Sequence, residues 1–143
     1  MTPYARFIDA FMEKVTEYKF LQYTDDELFT LAVKYMKAAC LKFRKICKAD
    51  LTQFDDSERV FLADIDDEVI DIVSDGMVVE WLKPYRNNAD NLENILNTKD
   101  FTMYSSANLL AQTREALSEA EKHFIQRMRE YSFDHGDLTS LHL

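Results

Sequence analysis

Two glycines, Gly76 and Gly136, and two prolines, Pro3 and Pro84, are all the backbone punctuation that 143 residues contain. Sandwiches and barrels turn about every 8–12 residues and build those turns with glycine, proline or Asn-Gly pairs. A chain so poor in turn formers defaults to helix, and the expected fold class is all-α, a bundle of four to five helices. Hydrophobic residues make up 47% of the chain, enough for one domain with one core. No apolar run approaches the roughly 18 residues that a membrane span needs, so no membrane contact is expected. Met1–Arg6 has neither the basic start nor the apolar run of a signal peptide. Cys40 and Cys47 fall in one helical segment, roughly 10 Å apart at 1.5 Å rise per residue. That is too far for a disulfide, and they read as reduced core residues.

Hydrophobic spacing divides the chain. The first helix is expected to be capped by Thr2, with Pro3 at its first position, and to bury Phe7, Phe11, Val15 and Tyr18. Thr24-Asp25-Asp26-Glu27 reads as a capping box opening a second helix to about Lys48. Its apolar stripe is Phe29, Val33, Met36, Cys40, Phe43 and Cys47, widened by Leu28, Ala32, Tyr35, Ala39 and Ile46. From Ala49 to about Asp64 periodicity fails, and a long acidic loop is expected with an extended piece near Arg59–Leu62. A third helix starts near Asp66, carries Val69, Ile70, Ile72, Val73, Met77, Val78, Trp81 and Leu82, and is expected to stop at Pro84. Gly76 in its middle costs about 1 kcal/mol relative to alanine, which a close approach by another helix would justify. A short fourth helix follows Asn87, with Leu92, Ile95 and Leu96. A fifth, capped by Ser105, carries Leu110, Leu117, Ala120, Phe124, Met128 and Tyr131. The domain is thus expected to span residues 1–131, followed by an extended C-terminal tail over 132–143.

Charge is distributed unevenly. Asp50–Asp75 holds ten acids against one base, Arg59, and so carries the whole net charge of −9. Just before it Lys34, Lys37, Lys42, Arg44, Lys45 and Lys48 run without an acid. Such polarity argues against a uniformly basic nucleic-acid binder. Asp67, Asp71 and Asp75 recur every fourth residue, forming a carboxylate stripe on the third helix. The stripe reads either as a solvated face opposite the core or as a surface facing a basic neighbour or a DNA passage. In a head-to-tail ring, Lys34, Lys37 and Lys45 of one subunit could meet Asp67, Asp71 and Asp75 of the next. Within one monomer the two faces could equally pair with each other.

Chemistry-bearing constellations are scarce. Of three histidines, His135 and His142 lie in the tail, and His123 sits four residues after Glu119, the spacing of a surface ion pair. No glycine-rich phosphate loop, zinc spacing, di-iron motif or EF-hand loop is present, because Asp64-Ile65-Asp66-Asp67-Glu68-Val69 has valine where the EF-hand requires glycine. No catalytic residue, metal or cofactor is expected. In the tail, Phe133, Leu138, Leu141 and Leu143 are apolar without helical period. They suit a segment that folds back on the core, frays, or docks on a partner.

Gly76-Met77-Val78-Val79-Glu80-Trp81-Leu82-Lys83-Pro84, then Asn87-Asn88 and Leu92, then Thr98–Leu110, together with Arg129-Glu130-Tyr131-Ser132-Phe133-Asp134-His135-Gly136-Asp137-Leu138, resemble small neck proteins of tailed bacteriophages. The resemblance covers about Asp64 to Leu143; where relatives often carry proline, this chain has Ser106. It implies a non-enzymatic head-to-tail connector (adaptor), a helical bundle forming a ring, commonly of twelve subunits, under the portal protein. A downstream neck or tail-completion protein would dock below, and DNA would pass through without specific binding. The implied location is the virion neck, reached from the host bacterial cytoplasm during assembly. The tail would engage the portal through Phe133, His135, Leu138, Leu141 and Leu143. The reading from another class is a soluble helical interaction module that binds a host or regulatory protein.

Overall fold

The computed structural model describes the backbone of residues 1–16, 25–97 and 104–135, and the side chains of 1–16, 31–84 and 111–135. In chain order the elements are strand β1 (Thr2–Pro3), helix α1 (Tyr4–Val15), helix α2 (Asp25–Phe43), strands β2 (Phe54–Asp55) and β3 (Val60–Phe61), and helices α3 (Asp67–Asn97) and α4 (Tyr104–His135). The chain is mainly helical, as its shortage of turn formers implies, with a small sheet added.

That sheet corrects two expectations. Thr2 does not cap α1 and Pro3 is not its first helical residue; Pro3 stands at the N-cap in extended conformation, and the two pair antiparallel with Phe61 and Val60 in a sheet of order β1-β3-β2. The Thr2 hydroxyl donates to the Ala63 carbonyl and accepts from the Ile65 amide, bonds that a helix cap would forgo. Pro3, which lacks an N–H, is tolerated because β1 is an edge strand. The acidic stretch after α2 is likewise not one long loop. The extended piece near Arg59–Leu62 forms as β3, and it pairs with β2 in a hairpin. Asp55 accepts from the Ser57 amide and hydroxyl and from the Glu58 amide, which folds the turn locally. Arg59 completes it in the left-handed region at φ 56°.

Helix α3 is the hub, packed against α1, α2 and α4. Every apolar residue expected on its core face, from Val69 to Leu82, is buried. It does not stop at Pro84 but runs to Asn97, so the short fourth helix expected from Asn87 is its continuation. Proline removes one backbone bond, to the Glu80 carbonyl, at a cost of about 3 kcal/mol. Burial of Val78, Val79, Trp81 and Leu82 anchors the helix up to that point, and no glycine or second proline follows before Asn97 to end it.

From α1, Phe7, Phe11 and Val15 are fully buried; Tyr18, the Thr24–Glu27 box, and the Leu28 and Phe29 side chains lie outside the described residues. On α2 the buried set is Ala32, Tyr35, Met36, Ala39, Cys40 and Phe43, with Val33 and Cys47 half-buried and Ile46 exposed. The core face is thus centred nearer Ala32 and Ala39 than the 4-3-4 stripe implies. Helix α2 also ends at Phe43, before Lys48. Aromatic contacts join the elements: Phe61 to Tyr4 and Phe7, Phe11 to Tyr35 and Trp81, and Phe43 to Tyr131.

Helix α4 continues one turn beyond Tyr131, to His135. Phe133 and His135 therefore belong to a helix and not to an extended tail. The His135 ring stacks on Tyr131 at 4.3 Å and reaches Glu68 of α3 at 3.2 Å, contacts that only the helical continuation supplies. Leu138, Leu141 and Leu143 lie outside the described residues.

Candidate functional site

The expected carboxylate stripe lies on α3 and runs from exposed Asp67 through half-buried Asp71 to buried Asp75. Asp71 and Asp75 sit where α1, α3 and α4 meet. Lys14 of α1 contacts Asp71 Oδ1 at 2.8 Å and Asp75 Oδ1 at 2.7 Å, and donates also to the Asp71 carbonyl. Arg127 of α4 donates through Nη1 to Asp71 Oδ2 and Asp75 Oδ2. His123 Nε2 lies 3.4 Å from Asp75 Oδ2, so it faces α3. The Asp75 side chain is only 9% exposed, which is no solvated face. The basic surface opposite Asp71 and Asp75 is intramolecular, supplied by α1 and α4 and not by the Lys34–Lys48 run. Asp67, one turn earlier, stays largely exposed and pairs with Arg6.

This ion-paired junction borders a cleft of about 390 Å³ between α3 and α4. Burial opposes ionisation of Asp71, but hydrogen bonds from Lys14 and Arg127 and the two positive charges outweigh it and hold the carboxyl below its ordinary range. Burial likewise opposes the charge on Arg127, and the two aspartates raise its pKa nonetheless. A second three-way cluster joins α2 to α3: Lys42 contacts Glu80 at 2.7 Å and Lys83 contacts it at 3.1 Å. There too burial pushes the Glu80 carboxyl up while the lysines bring it below its usual value.

The acidic segment as a whole is wired to the rest of the fold. Asp56 pairs with Lys37, Asp64 with the Met1 amino group, Asp67 with Arg6, Glu68 with His135, and Asp71 and Asp75 with Lys14 and Arg127. Five of its ten acids are therefore ion-paired inside the chain and a sixth, Glu68, meets a histidine, although Asp64 and Asp67 stay about nine-tenths exposed. Lys37, besides its contact with Asp56, lies 4.5 Å over the Phe54 ring. Lys34 and Lys45 are exposed and have no ion pair among the described residues. Phe133 is 73% exposed near the end of α4.

Lys14 and Arg127 escaped sequence reading, though a signal for them exists. Each follows a core aromatic by three residues (Phe11 and Phe124), so each is a base set beside a core stripe. Such a base is either paired or expensive to bury. What it pairs with depends on which helices touch, and spacing along one helix does not contain that.

The cleft is lined by no hydroxyl or thiol. The Cys40 thiol is pushed up to about 12, by burial first and by Cys47 second, so at neutral pH it is a protonated core group and not a nucleophile. Among the described residues no group of three or more His, Cys, Asp or Glu side chains is placed to hold a metal ion. No helix among them is long and apolar enough to cross a membrane. The arrangement clamps three helices together and leaves Lys34 and Lys45 exposed. No protein-family model, curated protein or solved structure matches the chain.

Proposed function

We propose that the chain is a head-to-tail adaptor of a tailed bacteriophage. It would form a ring beneath the portal, join capsid to tail, let DNA pass, and carry a further neck protein below. It would act in the virion neck after assembling in the host cytoplasm, without enzymatic activity. The observation that carries this reading is the position of the residues that bear the family resemblance. Gly76 and Trp81, from the first run, are where α3 meets α2 and α4 and where it meets Phe11 of α1. Tyr131, from the last run, accepts the Lys48 amide and packs on Phe43. The likeness is thus carried by frame-building residues, as suits a protein that acts through shape and surface. The net charge of −9 also suits a passage that does not grip phosphate, since Lys and Arg contacts are what hold DNA.

The test mixes purified portal of the same virus with the full chain or with a chain ending at His135, followed by size exclusion and electron microscopy. The full chain is expected to give a ring complex, and the shortened chain to lose at least about tenfold in affinity, equivalent to about 1.4 kcal/mol. Equal binding by both removes the role of Leu138, Leu141 and Leu143 in docking. No complex with either chain removes the adaptor reading.

A further inference from the structure

Among the described residues, two surfaces on different elements combine apolar side chains with unpaired charges of one sign. The first is the outer side of α2. Leu31, Lys34, Ala38 and Leu41 recur at intervals of three, four and three, on one face, and Arg44, Lys45, Ile46 and Lys48 follow in the turn. Leu31, Leu41 and Ile46 are among the exposed large apolar residues. Lys34, Arg44, Lys45 and Lys48 are exposed, and none has an ion pair among the described residues. The second is the open groove between α1 and α3, about 500 Å³ in volume. Asp9, Glu13, Asp67 and Asp71 line it against a single guanidinium, Arg6, and Ala10 and Ile70 give it an apolar floor. Asp9 and Glu13 are exposed, one turn apart on α1, and are unpaired among the described residues.

We infer that these surfaces are the two halves of one contact between copies of this chain, the α2 face of one docking in the α1–α3 groove of the next. The partner's identity as a second copy rests on the ring reading above; the surfaces themselves do not. Charge complementarity selects the occupant: leucines flanked by unpaired bases on one side, an apolar floor flanked on the other by four acids, of which Asp9 and Glu13 are unpaired among the described residues. The two surfaces share no residue, so the contact is heterologous and propagates from copy to copy, and the ring reading requires that its rotation closes. The basic run keeps the role the sequence suggests for it, but its partners move from Asp71 and Asp75, which Lys14 and Arg127 occupy, and from Asp67, which Arg6 holds, to Asp9 and Glu13. A nucleic-acid duplex is the competing occupant of a basic helix face, and it is disfavoured by the interleaved Leu31 and Leu41.

Two charge-reversal variants test this, each confined to exposed side chains: K34E/K45E on α2 and the turn after it, and D9K/E13K on α1. Sedimentation velocity of the full chain is expected to show association that grows with concentration and weakens with salt, because exposed charge pairs are screened beyond about 10 Å at 0.1 M salt. Each variant alone is expected to lose at least about tenfold in association constant. Mixed in equal amounts they are expected to associate again, since the reversed α2 of one then meets the reversed groove of the other; this rescue also shows that both are folded. A wild-type chain that stays monomeric up to its solubility limit overturns the inference, as does a monomer that binds a short DNA duplex through Lys34 and Lys45. Variants that assemble like the wild type overturn this contact while leaving the ring reading intact. Portal binding by a chain that never self-associates would overturn the contact and keep the portal partnership.

Discussion

Gly76 lies where three helices crowd together. A Cβ added there would come within 2.6 Å of Phe124 Cζ and 2.8 Å of Ala39 Cβ, so α2 and α4 approach α3 from two sides at the same level. Alanine would gain about 1 kcal/mol of helix propensity, but forcing a methyl group against a ring and another methyl costs about 1–3 kcal/mol, and more where neither neighbour can yield. Gly76→Ala is therefore expected to lower stability by up to about 2 kcal/mol, read as a lower denaturant midpoint at unchanged slope. Asp71 supplies a second residue-level test. Its carboxyl, like that of Glu80, is held below the ordinary value in the folded chain despite burial. Groups of that sign contribute stability that is fully present above the ordinary carboxylate pKa, near 4, and is lost as pH falls toward and through the lowered folded value. Unfolding free energy is expected to hold steady from about pH 6 to 5 and to decline below about 4. Asp71→Asn should make that decline shallower, and an unchanged acid limb in equilibrium denaturation would remove the role of this carboxylate.

The elements whose existence was legible are those with strong period. The faces of α1 and α3 and the α4 set Leu117, Ala120, Phe124 and Tyr131 are buried as their spacing implies, with Met128 half-buried. Boundaries were legible only where a local group sets them. The start of α3 is one such case, since Asp66 accepts from the Val69 amide and acids fill the first turn. Pro84 did not end α3, which runs on to Asn97, and Thr2 did not begin α1, because its cross-strand and side-chain bonds outweigh a local capping preference of about 1 kcal/mol. The hairpin escaped because its strands are two residues each, too short for alternation to register. Its turn depends on a single carboxylate. Asp55→Ala removes three hydrogen bonds from that turn and is expected to destabilise the chain by about 1 kcal/mol. Faster hydrogen exchange confined to the β2–β3 turn would check this, while uniform exchange across the fold would count against a local role.

Over the whole molecule, composition alone specified a mainly helical chain with one core. A near absence of glycine and proline leaves few other ways to satisfy the backbone, and period then assigns each helix its buried face. The sequence also placed an acidic segment beside a basic one, because charge is counted residue by residue. Which acids meet which bases was settled only by the tertiary structure. Lys14, Asp71, Asp75 and Arg127 come together because α3 lies at the centre of three packed helices, and contacts between residues more than fifty positions apart leave no trace in local spacing. The same packing consumes much of the acidic stripe and leaves Lys34, Arg44, Lys45 and Lys48 outside it. Charge content is thus a property of the chain, whereas the surface available to a partner is what remains after the fold has neutralised its own interior.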